Sequence, residues 1–139
     1  MTKQQIQREI TVLKNKINLS RSRIDTCSNK IRKLEKAYNE SNTLKKKYQN
    51  GVQEYYNTVK SSLNRLDTNS TFRDYYISET KKAINNIEDR QIIDLLVKNN
   101  NDILNNINTN EEIIRREQNN LNRYYNRMER LKIELSTAV

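Results

Sequence analysis

Few residues in this chain have chemistry to offer. Two carboxylate pairs stand at Glu88-Asp89 and Glu111-Glu112, a lone thiol at Cys27, and eight tyrosines along the rest, while histidine is absent. Paired carboxylates serve acid–base catalysis when both reach one substrate. Neighbours on a helix diverge by about 100° and cannot share one, so both pairs read as solvated faces. Without histidine and with a single cysteine, the usual zinc sets and imidazole-based general-base or nucleophilic arrangements cannot be assembled. One glycine, Gly51, leaves no loop of the P-loop or dinucleotide-binding type. The chain is expected to be non-enzymatic, with no catalytic residue, no metal and no cofactor.

What organises the sequence is a pattern. From Ile6 to Leu66 apolar residues return every three and four places. With Ile10 at the first seam position of a heptad, that position recurs at Ile17, Ile24, Ile31, Tyr38, Lys45, Val52, Val59 and Leu66. Its companion falls on Ile6, Leu13, Ser20, Cys27, Leu34, Ser41, Tyr48, Tyr55 and Ser62, broken by serines but never by a charge. A strand, with period two, could not place these residues on one side, whereas a helix under-wound to 3.5 residues per turn lines them along a single seam. Cys27, on that seam, reads as a small buried apolar residue in a chain made under reducing conditions. The absence of proline and the single glycine suit long helices, since the two cost roughly 3 and 1 kcal/mol in a helix interior. Asparagine is a poor helix former and abundant here, so packing rather than propensity must hold the helices.

The predicted fold is all-α: one elongated domain, residues 1–139, built as a long antiparallel helical hairpin with coiled-coil packing. Thr2 and Gln5 form a capping box ahead of the first seam residue. Asp67-Thr68-Asn69-Ser70-Thr71 is a polar, turn-favouring run that divides an arm of residues 1–66 from an arm of residues 72–139. On the second arm the seam reads Ile93, Leu96, Asn100, Ile103, Ile107, Asn110, Ile114, Glu117, Leu121, Tyr124, Met128, Leu131 and Leu135. Nearer the turn, Ile77, Thr80, Ala83 or Ile84, and Ile87 follow another phase, so the register slips between Glu88 and Ile92. Asn99 to Asp102, Thr109 and Gly51 mark further candidate breaks, which leaves room for a hairpin of three or four helices.

Charge is uneven. Residues 1–66 hold 15 Lys and Arg against 5 Asp and Glu, or +10, while residues 67–139 hold 11 against 12, or −1. The clusters Arg21, Arg23, Lys30, Arg32, Lys33, Lys36 and Lys45-Lys46-Lys47 would attract phosphate, but no aromatic residues are interleaved with them as base-stacking platforms. They read first as the solvated back of a coiled coil. Met1 to Gln5 carries no apolar run, so no cleaved secretory signal is expected. The cluster Ile92, Ile93, Leu95, Leu96 and Val97 falls far short of the roughly 20 residues a bilayer needs, so no membrane insertion is expected either.

Apolar residues are left over once a two-helix seam is filled. The doublets Tyr55-Tyr56, Tyr75-Tyr76, Ile92-Ile93, Leu95-Leu96-Val97, Ile113-Ile114 and Tyr124-Tyr125 widen the stripe beyond what one partner helix covers. Either further breaks fold the chain back over them, or another helical hairpin covers them, from a second copy or from another protein. The second is expected, with Ile92, Ile93, Leu96, Ile113 and Ile114 as the candidate partner-binding residues.

A proline-free, glycine-poor helical hairpin of this size, with Tyr125-Asn126-Arg127-Met128-Glu129 near its end, resembles the small helical partners of type VII secretion systems, the WXG-like and LXG-toxin-associated helical proteins. Tyr125 and Glu129 match the tyrosine-x-x-x-acid export signal of those systems, and Tyr75 with Glu79 repeats the spacing. The chain has no tryptophan, and Tyr48-Gln49-Asn50-Gly51 is a poor substitute for the WXG turn, so a WXG protein proper is not implied. The resemblance implies a bacterial, non-enzymatic adaptor or chaperone. It would bind the N-terminal helical domain of a secreted toxin, a second small helical partner, or both, in the cytoplasm before co-export without a Sec-type signal. The competing reading from the residues themselves is a basic, self-associating coiled coil that binds nucleic acid or plays a structural role.

Overall fold

The computed structural model describes residues 1–65, 70–85 and 88–138, and the backbone alone at 70, 85, 88 and 89. Three helices carry the chain, α1 (Lys3–Arg65), α2 (Ser70–Asn85) and α3 (Glu88–Thr137), with no strand among the described residues. The start of α1 is set locally. The Thr2 amide donates to Gln5 Oε1 at 2.8 Å and the Gln5 amide donates to Thr2 Oγ1 at 3.2 Å, the reciprocal pair of a capping box. Of the polar run 67–71, residues 67–69 lie outside the described residues, as does Leu66, while Ser70 and Thr71 belong to α2.

The helices form an all-α hairpin, and its packing falls into two compact units, each drawing on both α1 and α3. The first joins Met1–Glu35 to Asn105–Val139. Its core is Ile6, Leu13 and Ile17 of α1 with Met128 and Leu131 of α3, flanked by Ile10, Leu121, Tyr124 and Leu135. The helices run antiparallel here. As partners on α1 advance from Glu9 to Ser20, those on α3 fall back from Arg127 to Glu117. All are seam positions or their immediate neighbours, so a 3.5-residue repeat on each helix is enough to explain the core.

The second unit is Lys36–Leu104. Here the seam of α1 changes step. Val52 keeps its place, but Tyr56 and Leu63 are half-buried where Tyr55 and Ser62 are expected, and those two are exposed. Two consecutive steps of four, Tyr48 to Val52 to Tyr56, absorb the drift that a 3.6-residue helix accumulates against a 3.5-residue repeat. Val52, Gln53 and Tyr56 line a groove with Lys81 and Ile84 of α2, and the Lys81 ammonium lies 5.8 Å from the Tyr56 ring centre. Ile84 rather than Ala83 is the buried residue on α2. The residue between this phase and that of α3, Ile87, lies outside the described residues, and Ile93 resumes the α3 seam.

None of the other candidate breaks interrupts a helix. α3 runs through Asn99 to Asp102, and the Thr109 hydroxyl donates back to the Asn105 carbonyl at 3.0 Å instead of capping a new start. Gly51 lies inside α1 at ordinary helical φ, and a Cβ placed there meets nothing within 4 Å. Gly51→Ala is therefore expected to raise the unfolding free energy by about 0.5–1 kcal/mol in urea denaturation, because only backbone entropy changes.

Candidate partner-binding site

A polar layer crosses the seam of the first unit. Glu117, 7% exposed, occupies a seam position of α3, where it accepts a hydrogen bond from the Ser20 hydroxyl and, at 3.2 Å, one from the Arg23 guanidinium. The Ser20 hydroxyl, followed by Arg23, holds the Glu117 carboxyl below the usual range against the opposing effect of burial. Nearer the chain ends, Arg127 Nε donates to Glu9 Oε1 at 2.9 Å. The serine and the acid are visible in the sequence as breaks in two seams. That they face each other is visible only in the fold. Such a layer sets register more than it adds stability, because only one pairing of the helices satisfies it.

The remaining chemistry-bearing residues stay apart. Glu111 and Glu112 are both exposed, and Cys27 is buried on the seam. Glu88 and Asp89 open α3, and their side chains lie outside the described residues. Among the described residues no three His, Cys, Asp or Glu side chains converge.

The candidate partner-binding residues divide by heptad position. Ile93, Leu96 and Ile114 lie on the seam, and Ile93, 2% exposed, is already covered within the second unit. Ile92 and Ile113 sit beside the seam and are half-buried. Adjacent residues on a helix point about 100° apart, so Ile92-Ile93 and Tyr124-Tyr125 each give one member to the hairpin and leave the other at its edge, whereas Ile113 and Ile114 are both half-buried and Tyr75 and Tyr76 both exposed. Among the described residues of the second unit, Leu44, Tyr55, Leu95 at 67% exposure, Val97 and Leu104 are exposed, beside half-buried Ile92. Phe72, Tyr75 and Tyr76 form an aromatic cluster on α2, with ring centres 4.5 and 5.3 Å apart.

Tyr125 and Glu129 sit one turn apart on α3, both exposed. Tyr125 is engaged by α1: the Arg21 guanidinium donates to its hydroxyl and lies 5.5 Å from the ring centre. Among the described ion pairs, Glu129 joins Lys132 of its own helix, at 3.5 Å. The tyrosine is thus held against α1, while the acid is exposed on α3.

Antiparallel packing also sorts charge. On one side of the first unit, Lys16, Arg23, Lys30 and Lys33 of α1 share a face with Arg116, Arg123, Arg127 and Arg130 of α3, against only Glu9 and Glu134. The contacts that fix this side are Glu9 with Arg127 and the groove where Lys30 and Lys33 meet Asn106 and Asn110. On the opposite side, marked by Arg21 with Tyr125, five basic residues face four acidic ones. The charge imbalance therefore belongs to a face as well as to an arm. The signal was present in the sequence as Arg116, Arg123 and Arg130, seven residues apart. No helix among the described residues is long and apolar enough to cross a membrane.

No protein-family model matches the chain, and no curated protein or solved structure matches it either.

Proposed function

We propose that this chain is a non-enzymatic adaptor that binds another helical protein along the edges of its hairpin. The supporting observation is the apolar surface left beside the filled seam, above all half-buried Ile92 with its exposed neighbour Leu95. Isolated surface leucines need no explanation, but apolar edges beside a filled seam are the geometry that accepts a further helix. The resemblance to small helical partners of type VII secretion supplies the client, the N-terminal helical domain of a secreted toxin. It also gives Tyr125 and Glu129 the role of a signal read once that complex has formed.

The test is co-expression with the product of an adjacent gene that carries a long helical N-terminus, followed by calorimetry on the purified pair. Ile92→Ser with Leu95→Ser is expected to weaken the complex by about 3 kcal/mol, roughly a hundredfold in Kd, through lost apolar burial. Ile133→Ser, equally exposed on α3 but on the outer surface of the first unit, should leave it unchanged. Tyr125→Ala should preserve the complex and abolish delivery of the client. Arg21→Ala, which removes the same intramolecular contact but keeps the tyrosine, should preserve both. A Kd unmoved by the Ile92 and Leu95 pair would end the adaptor reading, and secretion unmoved by Tyr125→Ala would end the signal reading.

A further inference from the structure

The basic face of the first unit is not uniformly polar. Val12 and Leu19, seven residues apart on α1, are exposed at 50% and 52% on the same side as Arg116, Arg123 and Arg130 of α3. The pairings Glu9 with Arg127 and Ser20 with Glu117 set the two rows at the same level along the helices. The three arginines have no carboxylate partner among the described ion pairs; the Arg123 guanidinium donates to the Asn120 side chain on its own helix, a neutral contact that leaves its charge uncompensated. Each row repeats every two turns, about 10.5 Å at 1.5 Å per residue, which is the repeat of any helix laid alongside.

Resting on the adaptor reading, we infer that this face seats an acidic amphipathic helix of the client. Its apolar stripe covers Val12 and Leu19, and its carboxylates, seven residues apart, meet Arg116, Arg123 and Arg130. Phosphate backbones fit the charge but not the aliphatic row, which a nucleic acid would desolvate without covering. The exposed Tyr125, a candidate stacking platform, lies on the opposite face. An acidic helix satisfies both rows at once, with apolar contact for affinity and charge for register and rate of encounter.

The probe is a synthetic peptide of about 28 residues, four heptads, with Leu at both seam positions and Glu at the flanking ones. It is titrated against the full chain by fluorescence anisotropy at about 150 mM salt, where weak long-range attraction is screened. Binding is expected, and Arg116→Glu with Arg123→Glu should weaken it at least about tenfold. Leu19→Ser should weaken it about fivefold, and Lys14→Glu with Arg32→Glu on the opposite face less than about twofold. Circular dichroism of each variant confirms that these exposed positions leave the fold intact. Equal losses from the two faces, or tighter binding of a duplex of about 30 base pairs with a steep salt dependence, would overturn the inference. So would tighter binding of phosphatidylglycerol vesicles. Client capture separates the two readings. If Arg116→Glu with Arg123→Glu leaves it intact while Ile92→Ser with Leu95→Ser removes it, this inference fails and the adaptor stands. If Ile92→Ser with Leu95→Ser leaves it intact, the adaptor reading itself has failed.

Discussion

Leu131→Ala lowers the unfolding free energy by about 3 kcal/mol, whereas Leu95→Ala changes it by less than about 0.5 kcal/mol. Both are leucines on α3, and they differ in what covers them. Leu131 is 0% exposed inside the cluster of Ile6, Leu13, Ile17 and Met128, while Leu95 is 67% exposed. Truncating a buried leucine loses its transfer free energy and leaves its neighbours facing a gap that two stiff helices close only in part. Truncating an exposed one removes little that water does not replace. Urea denaturation followed by far-UV circular dichroism measures both. Equal effects would show that the stability of the first unit does not reside in its seam.

Replacing the polar layer has the opposite sign. Glu117→Leu with Ser20→Ala is expected to raise stability by about 2 kcal/mol, because an apolar pair recovers the burial that a desolvated carboxylate forgoes, and Arg23 is free to turn to water. The associated loss is uniqueness. Without the layer, the seams of α1 and α3 accept neighbouring registers and self-association, which sedimentation and cross-linking between cysteines placed at positions 13 and 124 would detect. Acidity reports on the same layer. The carboxyl of Glu117 is held below its usual range by the Ser20 hydroxyl and Arg23, so the folded state favours the ionised form. That contribution is fully present above the ordinary glutamate value of about 4.3 and is lost as pH falls through the lower folded value. The wild-type melting temperature should drop over that acid window more steeply than that of the double variant. Parallel profiles would mean that the ionised layer adds nothing to folding.

Much of the fold was legible because it is local. Seam spacing on α1 from Ile6 to Tyr48, and on α3 from Ile93 to Leu135, depends only on the helical repeat, and every one of those positions is buried or half-buried. The capping box of Thr2 and Gln5 involves residues three apart, so it too could be read directly. The change of step at Val52 and Tyr56 was not legible. A choice between Tyr55 and Tyr56, two identical side chains, is made by accumulated drift and by what α2 offers opposite them.

By itself, then, the sequence determined that the chain is helical, where its seams run from Ile6 to Tyr48 and from Ile93 to Leu135, and that histidine-based chemistry has no residue to use, since composition and short-range periodicity suffice for each. Tertiary structure decided that Tyr56, Ile93 and Tyr124 rather than Tyr55, Ile92 and Tyr125 are the more buried members of their doublets. It brought Ser20 to Glu117 across 97 residues, and it gathered basic residues from two arms of opposite net charge onto one face. Those outcomes depend on the register between distant helices, which no local window of sequence contains.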